Sequence, residues 1–102
     1  MRDPLDPAAI TAALAGLADW HGDTQVLRRT VSEPNLDTAL RLVGMVAAVA
    51  DELDHHPEVS VDVYRKTVTF ATTTHSAGDV VTEQDVLLAA RIDACANALG
   101  VT

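Results

Sequence analysis

Aromatic residues, cysteine and positive charge are all scarce in this chain. Phe, Trp and Tyr together make up 3% of its 102 residues, while 48% are apolar, so a core has to be packed mainly from Val, Leu and Ala. The single cysteine, Cys95, excludes an internal disulfide framework and suits a reducing compartment, so a cytoplasmic protein is expected. Seven Lys and Arg face fifteen Asp and Glu, a net charge of −8. That balance leaves no broad basic face for a phosphate backbone, and no nucleic-acid partner is expected. Long hydrophobic runs are missing too. The opening "MRDPLDPAAI" interrupts its apolar residues with two prolines and two aspartates, so neither a membrane span nor a signal peptide is read there. With no linker, repeat or low-complexity segment, residues 1–102 read as one domain.

Local signals divide the chain into seven elements. Asp6 before Pro7 reads as an N-cap with proline at the first helical position, and Ile10, Ala13, Leu14 and Leu17 continue a helical stripe. Gly22-Asp23 signals a turn between two short strands, the second within Thr24 to Ser32. Pro34-Asn35 opens a helix carrying Leu36, Leu40, Val43, Val46, Ala47, Ala50 and Leu53 at helical spacing, and Pro57 stops it. Val59, Val61 and Val63 alternate with polar residues as a half-buried strand does, and the β-branched "TVTFATTT" makes its partner. Thr82 with Asp85 three residues on resembles a capping box for a last helix running to about Leu99. The order α-β-β-α-β-β-α, with strands paired as hairpins, predicts an α+β domain. Its four-stranded antiparallel sheet carries the helices on one face. Alanines in the last helix serve either close subunit packing or simple helix propensity.

Three of the four histidines fall at one corner of this scheme. If Arg65-Lys66 is the hairpin turn, Tyr64 faces Thr67, Val61 faces Phe70 and His56 faces His75. His55 belongs to the same corner, and Asp51, four residues earlier, shares a helix face with it and is placed to orient its ring. The bland reading is that these rings cap a helix and line a solvated loop. A zinc site is a second reading, but the chain has no His-x₃-His or Cys-x₂-Cys spacing. Nucleophilic catalysis is weaker, because Cys95 lies in an apolar helix away from the corner. Acid–base chemistry on a small polar substrate remains, since imidazole exchanges protons near neutral pH.

The pattern Asp51-x₃-His55-His56-Pro57, followed by Tyr64, His75 and Asp85, resembles the signature of the pterin-4a-carbinolamine dehydratases. The likeness covers nearly the whole chain, from "LDPAAITAALAGLADW" through "LRRTVSEPNLDTALRLVGMVAAVADELDHHP" to "TEQDVLLAARID". It implies removal of water from a 4a-hydroxytetrahydropterin to give a quinonoid dihydropterin, which is recycled for aromatic amino acid hydroxylases. No metal or prosthetic group is implied. The family's three active-site histidines map onto His55, His56 and His75. We assign His55 and His75 to proton transfer and His56 to substrate binding, with Asp51, Trp20 and Asp85 as further binding candidates. A homodimer or homotetramer is implied as well, and the edge Thr24 to Ser32 is the strand that would need covering.

The chain departs from the family pattern in several places. Asp51 stands where glutamate is usual, and the hairpin gains one residue before Tyr64 and one after. The loop "SAGDVV" is one residue longer, and Val31, Glu33 and Leu36 replace aromatic positions. Glu33 at an apolar site implies altered packing or an altered subunit contact. Some relatives act as dimerisation partners of transcription factors or as assembly factors, so a protein-interaction module is the rival reading. Related chemistry on another heterocycle is a third.

Overall fold

The N-caps read from the sequence start the helices of this computed structural model, which describes residues 3–101. Asp6 accepts the Ala9 amide at 2.8 Å, and Pro7 opens α1 (Pro7–Ala15), which buries Ile10. Two strands follow, β1 (His21–Gly22) and β2 (Leu27–Ser32), joined where Asp23 Oδ1 accepts the amides of Gln25 and Val26. Gly22 has φ +152°, and a Cβ there would lie 2.1 Å from the Val26 carbonyl oxygen, so only glycine fits.

Asn35 caps α2 (Leu36–Leu53) by accepting the amides of Asp37 and Thr38. Glu33, the residue out of place for an apolar site, turns its carboxylate onto the Asn35 amide at 3.0 Å and steadies this same cap. The buried stripe of α2 is Ala39, Leu42, Val46 and Ala50, one face at three- and four-residue spacing. The chain continues through β3 (Glu58–Asp62), β4 (Thr67–Thr72), a 3₁₀ turn over His75–Ala77 and α3 (Glu83–Ala98).

All strand pairs are antiparallel, in the order β1-β2-β4-β3. Alternation along β2 buries Leu27, Arg29 and Val31 and exposes Arg28, Thr30 and Ser32, as expected when one sheet face carries the helices. The core on that face includes Leu27, Leu42, Val46, Phe70, Leu88 and Ile92, each at most 1% exposed. Burial of each such side chain contributes about 2 kcal/mol. Ala89 and Ala96 are fully buried in this core, so part of the alanine content of α3 serves packing inside the chain.

Two sequence expectations are corrected by the fold. The hairpin register is different: Val61 pairs with Val68 and Val59 with Phe70. Asp62 Oδ1 accepts the Arg65 amide at 2.9 Å and Lys66 takes φ +57°, so the turn comprises Val63 to Lys66 and is centred one residue earlier than Arg65-Lys66. Thr24 to Ser32 is only partly an edge. β1 covers Leu27 and Arg28, β4 pairs along all of β2, and the full outer edge of the sheet is β3.

Candidate active site

The corner begins where α2 ends. Asp54 takes a left-handed conformation (φ +50°), its amide bonding to the carbonyls of Ala50 and Asp51, while the His55 amide bonds to Ala50 at 3.0 Å. This is a Schellman end with aspartate in the position that glycine usually fills. It stops the helix before His55 and turns the chain outward. Pro57 then holds His56 away from helical geometry.

Each of the three imidazoles rests one ring nitrogen on a carboxylate. His55 Nε2 lies 2.6 Å from Asp85 Oδ1, His56 Nε2 lies 2.9 Å from Asp51 Oδ1, and His75 Nδ1 lies 2.6 Å from Asp79 Oδ1. An ionised carboxylate only accepts, so the nitrogen facing it carries the proton. A neutral ring then keeps a lone pair on its other nitrogen: Nδ1 of His55 and His56, Nε2 of His75.

The three pairs differ in rigidity. His55 is 7% exposed and Asp85 has no accessible surface. Asp85 receives four hydrogen bonds: Oδ1 from His55 and from the Thr72 hydroxyl at 2.5 Å, Oδ2 from the Thr74 hydroxyl at 2.7 Å and from the Thr82 amide at 2.8 Å. The last is half of the capping box of α3, in whose other half the Thr82 side chain accepts from backbone amides of the helix's first turn. The pairs His56–Asp51 and His75–Asp79 are both exposed.

Two adjoining clefts meet at these rings. The larger, about 290 Å³, opens on the helix-free face of the sheet, with Arg28, Glu58 and Ala71 along it and His56, Thr73 and His75 at its end. The smaller, about 220 Å³, shares His56, Thr73 and His75 and is also lined by His55 and Thr74. Proton-exchanging rings therefore border a hollow of small-molecule size. Among the described residues, no group of three or more His, Cys, Asp or Glu side chains is arranged to hold a metal ion.

The structure brings His55, His56, His75, Asp51 and Asp85 together, with two changes of role. Asp51 bonds His56 and not His55, because the helix has ended before His55 and the shared-face argument no longer applies. Asp85 is enclosed beneath His55 and orients that ring; it has no surface with which to touch a ligand. Trp20 is not brought to the corner. It is 5% exposed in the core and donates its indole N–H to Asp93 at 2.8 Å. Asp79 was not found by sequence reasoning. It lies four residues after His75, but the segment is a 3₁₀ turn that ends at Gly78, and Gly78 and Asp79 both have positive φ, so a loop and not a helix face makes the contact.

With this geometry in place, comparison with known proteins is decisive. Residues 3–95 match the family described as Pterin 4 alpha carbinolamine dehydratase. The chain belongs to the pterin-4a-carbinolamine dehydratase family. A relative from Mycolicibacterium smegmatis, provisionally named a pterin-4-alpha-carbinolamine dehydratase, is 42% identical over 82% of this chain and 86% of its own. One from Streptomyces coelicolor, named in the same way, is 40% identical over 89% of this chain and 88% of its own. A crystal structure described as a transcriptional coactivator/pterin dehydratase from Brucella melitensis superposes with a TM-score of 0.84. It is 28% identical, and the match covers 92% of this chain and 99% of that one. Two departures from the dehydratase pattern are absorbed locally. Asp51, one methylene shorter than glutamate, reaches His56, and the longer loop leaves Asp85 at the α3 cap. No helix among the described residues is long and apolar enough to cross a membrane.

Proposed function

We propose that this protein dehydrates 4a-hydroxytetrahydropterins to quinonoid dihydropterins by histidine acid–base catalysis, as a step in tetrahydropterin recycling. The observation that carries the reading is the convergence of three carboxylate-held imidazoles on one pair of joined clefts. Family membership supports the substrate class. The pterin body lies in the larger cleft, with its C4a–N5 edge turned to the smaller one.

A lone-pair nitrogen, His55 Nδ1, takes the N5 proton. The electrons left on N5 form the C4a=N5 bond, and the C4a–O bond breaks. Protonated His75 gives its Nε2 proton to the departing hydroxyl, which leaves as water. His56, held by Asp51, binds the substrate beside them. The two proton transfers avoid a free amide anion and a free hydroxide, a contribution on the order of 10²–10⁴ in rate. His75 is exposed and returns to its protonated state by exchange with solvent. No resident cofactor takes part in this scheme.

Stopped-flow absorbance of a 4a-hydroxytetrahydropterin generated in situ tests the reading. Wild type is expected to accelerate loss of the 4a-hydroxy species, and a rate equal to the spontaneous one would refute it.

One observation favours self-association beside catalysis. β3 is an open edge whose Val59 and Val61 are each more than a third exposed, with Val63 60% and Tyr64 91% exposed in the adjoining turn. An edge of this kind pairs with another chain unless it is covered, and the protein forms a homodimer or homotetramer. Light scattering that gives a monomer at micromolar concentration would contradict this.

A further inference from the structure

Arg28, Ala71 and Glu58 form one row across the helix-free face of the sheet. Arg28 pairs with Ala71 from β2, and Glu58 pairs with Ala71 from β3. Two inter-strand spacings separate the outer pair by about 10 Å at Cα. A small residue between two long charged ones leaves a low floor with walls of opposite charge, and the larger cleft opens there. Every other described arginine reaches a carboxylate: Arg29, Arg41, Arg65 and Arg91. The side chains of Arg28 and Glu58 are exposed and have no hydrogen-bond or ion-pair partner among the described residues. Two unpaired opposite charges facing one hollow make a site with two chemically distinct ends.

The position of the histidines fixes how a pterin occupies it. In a 4a-hydroxytetrahydropterin the reacting C4a–N5 bond lies midway along one long edge. The 2-amino and N3–H donors lie at one end and the C6 substituent lies at the other. With the reacting edge toward His56 and His75, the long axis runs across the strands, from Glu58 to Arg28. An ionised carboxylate only accepts, and two parallel N–H donors match its two oxygens, so the pyrimidine end belongs on Glu58. The C6 substituent is then carried to Arg28, whose guanidinium only donates.

We propose that Arg28 determines substrate specificity, selecting tetrahydropterins whose C6 substituent carries oxygen acceptors over those with a plain alkyl group. This rests on the pterin dehydratase reading above. A hydrogen bond to a charged group is worth about tenfold or more in affinity.

The test is equilibrium binding of two stable reduced pterins, one with a 6-dihydroxypropyl and one with a 6-methyl substituent. Each is titrated into wild type, Arg28→Ala and Glu58→Gln, with circular dichroism confirming the fold. Wild type is expected to bind the dihydroxypropyl compound at least tenfold more tightly. Arg28→Ala is expected to erase that preference by weakening this compound alone, and Glu58→Gln to weaken both equally. A preference that survives Arg28→Ala, or that wild type lacks, overturns the proposal. Turnover measured on the same preparations separates the two claims. Arg28-dependent preference without dehydration would defeat the catalytic reading only, and dehydration without it would defeat this one only. Failure of wild type to bind either pterin would defeat both.

Discussion

Asp85 Oδ1 lies 2.6 Å from His55 Nε2, while the other oxygen of the same carboxylate caps α3 through the Thr82 amide at 2.8 Å. One buried side chain thus ties the helix that follows the corner to the ring that forms its inner wall. Fold and site share a single anchor.

Asp85→Asn keeps the shape but replaces one acceptor oxygen by a donor, so two of four hydrogen bonds meet a donor instead. Loss of buried partners of this kind costs about 2–4 kcal/mol. Urea denaturation is expected to show that loss. The folded fraction is expected to lose at least tenfold in kcat, because His55 is no longer held in one tautomer. Normal kcat per folded molecule would separate the anchor from the chemistry.

Asp79 has the same relation to His75 in an exposed setting. Asp79→Asn is expected to leave the melting temperature nearly unchanged. It is expected to lower kcat about 10- to 100-fold with little change in KM, since it disturbs the orientation and tautomer of a ring and removes no contact to substrate. Steady-state kinetics on purified protein checks this. An equal loss in KM alone would place Asp79 in binding.

Trp20 and Arg29 converge on Asp93, which accepts the indole N–H at 2.8 Å and the Arg29 guanidinium at 2.5 Å. Arg29 is 2% exposed, so Asp93→Ala leaves a buried cation with only the longer 3.6 Å contact to Asp19. Removal of one partner from a buried pair is strongly destabilising; with Asp93 partly solvated, about 2–3 kcal/mol is expected. Trp20 is the only tryptophan, so its emission reports the change directly, shifting to longer wavelength as the indole loses its partner.

The contact between Glu52 and Arg91 joins α2 to α3 at the surface. The hydrogen bond from Arg91, with its charge, holds the Glu52 carboxyl below the usual carboxylate range. A carboxyl lowered in the folded state adds stability above its unfolded pKa and loses it as pH falls through the folded one. The stability difference between wild type and Glu52→Gln is therefore expected at pH 7, and expected to vanish on acidification below the usual carboxylate range. Both groups are solvated, so salt is expected to shrink it. Denaturation midpoints at several pH values measure it.

What could be read from the sequence follows how local each signal is. Asp6, Asn35 and the Thr82–Asp85 box act within one turn of chain, so three helix starts were legible from residue type alone. The meeting of His55, His56 and His75 was legible because it depends only on the hairpin closing. Register was not: Arg65-Lys66 carries no turn preference, and the deciding group was the Asp62 side chain, which accepts the Arg65 amide. The carboxylate partners were not legible either. The left-handed residue Asp54 breaks helical phase between Asp51 and His55, and positive φ at Gly78 and Asp79 folds Asp79 back onto His75. Trp20 was a binding candidate only through the family resemblance, and its pairing with Asp93, 73 residues away, which holds it in the core, has no local signal.

The central claim is that three imidazoles serve one ligand, each held by a carboxylate so that a stated nitrogen faces the ligand and carries the lone pair when the ring is neutral. Two-dimensional ¹⁵N–¹H spectra of the histidine rings, titrated with a 7,8-dihydropterin, test it most directly. His21, in β1, is the internal control. The neutral rings are expected to show unprotonated Nδ1 for His55 and His56 and unprotonated Nε2 for His75. All three are expected to shift with one common dissociation constant while His21 stays still. Different saturation curves, the opposite tautomers, or a shift in His21 alone would contradict the account.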